Sequence, residues 1–109
     1  MESVAETNRT QMRRGVLEYS ILLILSREDE YASSIIQKLK DVDIIVAEGT
    51  TYPLLARLKN SGLLSYRWEE SLQGPPRKYY MITEEGRKQL AEMDASWNEL
   101  ASAIESLKK

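Results

Sequence analysis

The 109-residue chain contains no cysteine and no histidine. Without cysteine, neither a disulfide framework nor a thiolate metal site can form. Without histidine, it lacks the commonest general base, the commonest transition-metal ligand and the obvious pH switch. Long apolar runs are missing too. The longest, Ile21-Leu22-Leu23-Ile24-Leu25, falls far short of the roughly 20 residues needed to span a bilayer. The opening Met1-Glu2-Ser3-Val4-Ala5-Glu6 has no basic start and no apolar stretch, so it does not read as a signal peptide. These absences predict a soluble, cytoplasmic protein with no membrane partner, no metal and no cofactor. The acidic neighbours Glu69-Glu70 and Glu84-Glu85 do not converge as catalytic carboxylates must. No catalytic constellation is visible, and an enzyme is not expected.

What is present suits one small domain with a protruding element. Hydrophobic residues make up 42% of the chain, enough for a core. The net charge of −2 argues weakly against nucleic acid, but its distribution softens the objection. Residues 1–83 hold eleven basic and eleven acidic side chains, whereas residues 84–109 hold four basic and six acidic ones. The acidity lies in the C-terminal segment, which leaves the remainder able to present a basic face.

Hydrophobic periodicity and breakers divide the chain into three parts: a polar, unpatterned and mobile segment 1–10, a domain 11–83, and a C-terminal helix 84–109. A first helix is expected from Gln11 to Ser26, apolar on most faces in its second half. Arg27-Glu28-Asp29-Glu30 reads as a turn. A second helix follows over Tyr31–Lys40, with Tyr31, Ile35, Ile36 and Leu39 on one face. The β-branched Ile44-Ile45-Val46 reads as a brief strand. A third helix covers Thr50–Ser61, tolerates Pro53 in its first turn and stops at Gly62. Strands are expected over Leu64–Glu70 and Lys78–Ile82, joined by a tip at Ser71-Leu72-Gln73-Gly74-Pro75-Pro76. Thr83 then caps a last helix in which Leu90, Met93, Trp97, Leu100, Ile104 and Leu107 recur at alternating spacings of three and four. That alternation is a heptad seam.

A short helix, a strand, a Gly-Pro tip with basic residues and a returning strand form the plan of a winged helix-turn-helix. The expected fold is therefore mainly α, of the α+β class, with a C-terminal dimerisation helix. Such a fold inserts its third helix into a DNA major groove and lays the hairpin over the backbone. Thr50, Thr51 and Tyr52 are expected at the groove, because Leu55 and Leu58 point inward. Arg57 and Lys59 are placed to reach phosphate or a base edge. Arg77 and Lys78 on the wing, and Arg13 and Arg14 on the first helix, are the further phosphate contacts. Taken singly these are weak signals, since a capped core helix and a solvated turn also carry hydroxyls and charge. Trp97 has two readings: dimer core, or a stacking platform for a flat ligand at a two-fold axis.

In combination the motifs resemble a known family. Gly49-Thr50-x-Tyr52-Pro53-Leu54-Leu55-x-Arg57-Leu58, Gly62-Leu63-Leu64, Gly74-Pro75-Pro76-Arg77-Lys78-Tyr79-Tyr80 and Thr83-x-x-Gly86 look like the PadR family of bacterial repressors. The resemblance runs from about Gln11 to the end. It implies a homodimeric winged-helix repressor whose third helix reads an inverted repeat of double-stranded DNA. It also implies a compact branch that dimerises through the last and first helices, some members of which sandwich planar aromatic effectors between paired tryptophans. Trp97 is the effector-site candidate on that ground. Two positions depart from the family pattern. Thr51 stands where an aliphatic residue is usual, one turn before Leu55 on the inward side, and Ala32 follows Tyr31 where glycine is common. The rival reading is a winged-helix module that uses the same face for a protein partner, which the acidic net charge keeps open.

Overall fold

The computed structural model describes residues 4–45 and 49–109. Its elements run α1 (Val4–Arg14), α2 (Leu17–Arg27), β1 (Glu30–Tyr31), α3 (Ala32–Asp41), α4 (Thr51–Asn60), β2 (Leu64–Ser71), β3 (Gly74–Ile82) and α5 (Glu84–Leu107). The single helix expected over Gln11–Ser26 is two. Gly15 and Val16 form a turn in which Val16 N–H donates to Arg13 O at 3.1 Å. Glycine costs a helix interior about 1 kcal/mol relative to alanine, and here it falls between a polar helix and an apolar one. The stretch up to residue 10 that shows no pattern is helical from Val4 onward. Arg13 and Arg14 occupy the last turn of α1, at the negative end of its dipole.

The apolar spacings dictate the packing. Leu17, Ile21, Leu22 and Leu25 of α2, Ile35 and Leu39 of α3, and Leu55 and Leu58 of α4 meet in one core. Leu64, Tyr80 and Leu90 close it from β2, β3 and α5. Each such side chain contributes roughly 1.5–3 kcal/mol when fully buried, so the α2–α3–α4 cluster dominates stability.

The strands form an antiparallel sheet in the order β1-β3-β2. Its short edge strand is not the expected Ile44-Ile45-Val46. Ile44 and Ile45 instead lie in the turn after α3, where both N–H groups donate to Leu39 O, at 2.9 and 3.4 Å. Val46 lies outside the described residues. The apolar side chains of Ile44 and Ile45 pack against the core, and this use of β-branched bulk needs no ladder. The edge is supplied by Glu30 and Tyr31, expected as the end of a turn and the start of a helix, which pair with Tyr80 and Tyr79. Glu30 is buried there, and the Lys38 ammonium, donating to its carboxylate, compensates the charge.

The hairpin is longer than expected, and its tip is Leu72-Gln73. Glu69 pairs with Arg77 and Ser71 with Gly74, so Glu70 faces both Pro75 and Pro76 across a bulge. Both prolines are tolerated within β3 because β1 reaches only Tyr79 and Tyr80. The α4–β2 turn requires Gly62, whose φ of 83° lies in the left-handed region. Thr83 then couples the sheet to α5. Its hydroxyl accepts from Gly86 N–H at 3.0 Å and lies 2.7 Å from Gly62 O, to which it donates. Gly86 is buried so closely under this turn that a Cβ would stand 2.2 Å from Leu63 O.

Candidate nucleic-acid interface

Helical geometry sorts the residues of α4. Thr51, Leu55 and Leu58 lie at i, i+4 and i+7 and are all buried, whereas Thr50, Tyr52 and Pro53 are exposed. Thr51, expected at the groove, therefore does not reach it. Its side chain is fully buried, and its hydroxyl has no hydrogen-bond partner among the described residues. The spacing to Leu55 places Thr51 on the inner stripe, and that spacing outweighs its polarity. Thr50 precedes the helix without capping it through its side chain, so its hydroxyl stays at the surface. Tyr52, half exposed, projects from the first turn.

The remaining basic candidates separate. Arg57 turns toward α2, where its Nη2 lies 3.2 Å from Glu18 Oε2. The Lys59 ammonium sits 5.6 Å from the centre of the Tyr66 ring, toward the hairpin. Arg13 donates from Nε to Asp43 O at 2.6 Å and so ties α1 to the α3–α4 connection. Arg14 is exposed on α1. Neither arginine lines the space between α4 and the wing.

Arg77 and Lys78 do line it. A cleft of about 320 Å³ opens between the wing and the helical face, bordered by Tyr31, Tyr52, Trp68, Arg77, Lys78 and Tyr80. Strand alternation sends the two cations to opposite faces of β3. The Arg77 guanidinium stacks 4.0 Å from the Tyr31 ring, and the Lys78 ammonium lies 4.6 Å from Tyr66 and 5.7 Å from Trp68. On the Arg77 face, Arg67 is neutralised by Glu69 at 2.7 Å and faces Asp29 at 3.8 Å. Tyr31, Trp68 and Tyr80 are aromatic lining residues absent from the expected site. The signal for Trp68 was available: it follows Leu64 and Tyr66 at spacings of two, on one face of β2.

The heptad seam of α5 divides. Leu90 is buried in the chain's own core and the half-buried Met93 packs against it, so the domain takes up Leu90 and part of Met93. Only beyond them is the stripe open: Trp97, Leu100, Ile104 and Leu107 are exposed. At the boundary, Tyr19 of α2 donates its hydroxyl to Asp94 of α5, and its ring lies 6.4 Å from that of Trp97. The bond to Asp94, with some burial, raises the Tyr19 hydroxyl above its ordinary pKa. Among the described residues no group of three or more acidic side chains could hold a metal ion. No helix among them is long and apolar enough to cross a membrane.

Three helices around one core, with a three-stranded sheet whose hairpin stands beside the exposed end of α4, define a winged helix-turn-helix protein. Residues 21–92 match the transcriptional regulator PadR-like family, and the chain belongs to that family of DNA-binding transcriptional regulators, which are not enzymes. Among solved structures it resembles a PadR-like transcription factor from Bacteroides fragilis, at 56% identity and a TM-score of 0.77, over 93% of this chain and 98% of that one. It also resembles a PadR-like regulator from Bacillus cereus, at 39% identity and a TM-score of 0.79, over 91% and 97% of the two chains. A PadR family regulator from Eggerthella lenta superposes with a TM-score of 0.83 at 33% identity, over 97% and 93%.

Proposed function

We propose that this regulator is a cytoplasmic, homodimeric repressor that binds an inverted-repeat operator. Thr50 and Tyr52 lie at the major groove, Arg77 and Lys78 on the backbone, and a small aromatic effector reaches Trp97. The observation that carries the DNA-contact assignment is that Tyr52, Arg77 and Lys78 border one cleft that, among the described residues, no carboxylate lines. Arg57, held by Glu18, and Lys59, turned to Tyr66, contact phosphate from the flank after modest side-chain movement. The exposed stripe Trp97, Leu100, Ile104 and Leu107 supports dimerisation through the distal part of α5, because four large apolar side chains along one helix are rarely left to water. A two-fold dimer sets the half-sites roughly 34–36 Å apart. The acidic net charge that keeps a protein-interaction module open is outweighed by membership of a family of DNA-binding regulators.

The test is fluorescence anisotropy of labelled duplex from upstream of the gene, at several salt concentrations and beside a scrambled duplex. The reading expects saturable binding that prefers the upstream duplex and weakens steeply with salt. It also expects Tyr52→Ala and Arg77→Ala each to lower affinity roughly tenfold while the fold stays intact. Unchanged affinity in both variants would overturn the assignment.

A further inference from the structure

Trp68 has no role in the reading above, yet it is one of the most exposed large apolar residues of the wing, at 61%. Its strand position explains how it got there. Tyr66 pairs with Tyr80 and Trp68 with Lys78, so all four share one sheet face. Tyr80 and Leu64 fill the core at the inner end of that face, and Trp68 lies just past the edge of the core. The indole is held, since it packs edge-to-face on Tyr66 with ring centres 5.8 Å apart at 84°. It borders the cleft, together with Tyr52 of α4.

The charges at this cleft are poised in a particular way. Among the described residues neither Arg77 nor Lys78 has an ion-pair partner, whereas Arg57 has one and Arg67 has two. Arg77 and Lys78 rest on aromatic faces instead. Stacking on Tyr31 occupies the face of the Arg77 guanidinium and leaves its in-plane N–H donors available. The site therefore combines a fixed apolar wall, a phenol, and two cations that border it from opposite faces of β3, each with donors to spare. Duplex DNA presents the matching pattern along its backbone: an anionic phosphate flanked by sugars with apolar C–H faces.

We propose that the cleft between α4 and the wing receives one phosphodiester of a DNA strand, with Trp68 as a further contact residue whose indole packs on the adjoining deoxyribose. The inference rests on the DNA-contact reading given above and adds a partner for the indole. Lys78 and Arg77 supply the charge, and Trp68 supplies apolar contact that fixes the register of the strand. The two contributions respond differently to salt. Loss of a cation reduces the number of counterions released on binding, whereas loss of the indole leaves that number unchanged.

The chain has two tryptophans, so Trp97→Phe leaves Trp68 as the sole indole reporter. Titrating this variant with labelled duplex from upstream of the gene gives two signals at once: anisotropy of the DNA label and emission of Trp68. The expected result is a shift and quenching of Trp68 emission that saturates with the anisotropy, together with reduced access of acrylamide to the indole. In the parent background, Trp68→Ala lowers affinity roughly tenfold through the lost apolar contact with the sugar, with an unchanged slope of log affinity against log salt. Lys78→Ala reduces that slope by about one. Binding by anisotropy with unchanged Trp68 emission and unchanged acrylamide access would overturn the proposal and leave the DNA-contact reading standing. The parent protein is titrated beside the Trp97→Phe variant, and absence of binding by the parent at low salt would overturn both readings. The emission experiment keeps Trp68 in place, so a hairpin weakened by Trp68→Ala cannot obscure the outcome.

Discussion

Thr51→Val should stabilise this protein. The Thr51 side chain is fully buried on the inner stripe of α4, and its hydroxyl is unpartnered among the described residues. A buried hydroxyl without a hydrogen bond costs about 1–3 kcal/mol. Valine keeps the β-branch, and hence the χ1 preference, and replaces the oxygen by a methyl group of similar size. The methyl adds about 0.8 kcal/mol of apolar burial, against which some steric misfit must be set. A net gain of about 1–2 kcal/mol follows, which for a domain of this size raises Tm by about 4–8 °C per kcal/mol. The assay is thermal unfolding by circular dichroism at fixed protein concentration, because any self-association makes Tm concentration-dependent. Thr51→Ser is the control: it keeps the hydroxyl, loses the methyl, and should lower stability by about 1 kcal/mol. Operator affinity should be unaffected by valine. A destabilised Thr51→Val variant would show that the hydroxyl is satisfied in solution and would refute the reasoning.

Other perturbations probe separate parts of the structure. Gly86→Ala gains about 1 kcal/mol of helix propensity, but its Cβ would meet Leu63 O at 2.2 Å. The backbone must move, and a net loss of about 2 kcal/mol is expected in urea denaturation. Lys38→Met leaves the buried Glu30 without its ammonium partner and should lower Tm at neutral pH. Lys38 holds Glu28 below the ordinary carboxylate value of 4.5, so that part of its stabilisation is present above pH 4.5 and fades as acid protonates Glu28. Lys38 itself is raised above 10.5, chiefly by Glu30, so its stabilisation is complete below that pH and is lost on further rise. The Tm difference between parent and variant should therefore be widest between these limits and shrink toward acid, and a difference constant from pH 3 to 8 would contradict the assignment. Leu100→Asp or Ile104→Asp should yield monomers in sedimentation velocity, whereas intact dimers would place the interface elsewhere.

Much of the architecture was legible because periodicity and breakers agreed. Leu55, Leu58 and Gly62 define the inner face and the stop of α4, and Thr83 with Gly86 marks the start of α5. Errors arose where one residue serves two demands. Thr51 offers both a hydroxyl suited to the groove and a one-turn spacing to Leu55 that turns it inward, and the spacing prevails. Ile44 and Ile45 were read by β-propensity, although their bulk is spent on core contacts. Leu90 and Met93 continue the heptad rhythm of Trp97 and Leu100, yet α2 lies against the first part of α5 and takes them into the core. No local pattern distinguishes these uses, because they depend on which elements meet. Arg57 had a suitable position for DNA, but its partner Glu18 lies 39 residues away. Such a pairing follows only from the packed arrangement of α2 and α4.

A single residue, Thr83, separates the end of β3 from the start of α5, and its hydroxyl fastens the joint to the α4–β2 turn. The two elements thus form a tight elbow beside Leu63. One arm is the 24-residue α5, about 36 Å long at 1.5 Å per residue. The other is the nine-residue β3, about 30 Å at 3.3 Å per residue. Leu90, Met93 and Asp94 fasten the first arm to the domain, and β1 holds the second at Tyr79 and Tyr80. The elbow is therefore pinned close to its corner on both sides, and only the two far ends, the stretch from Trp97 onward and the hairpin tip, project from the body of the domain.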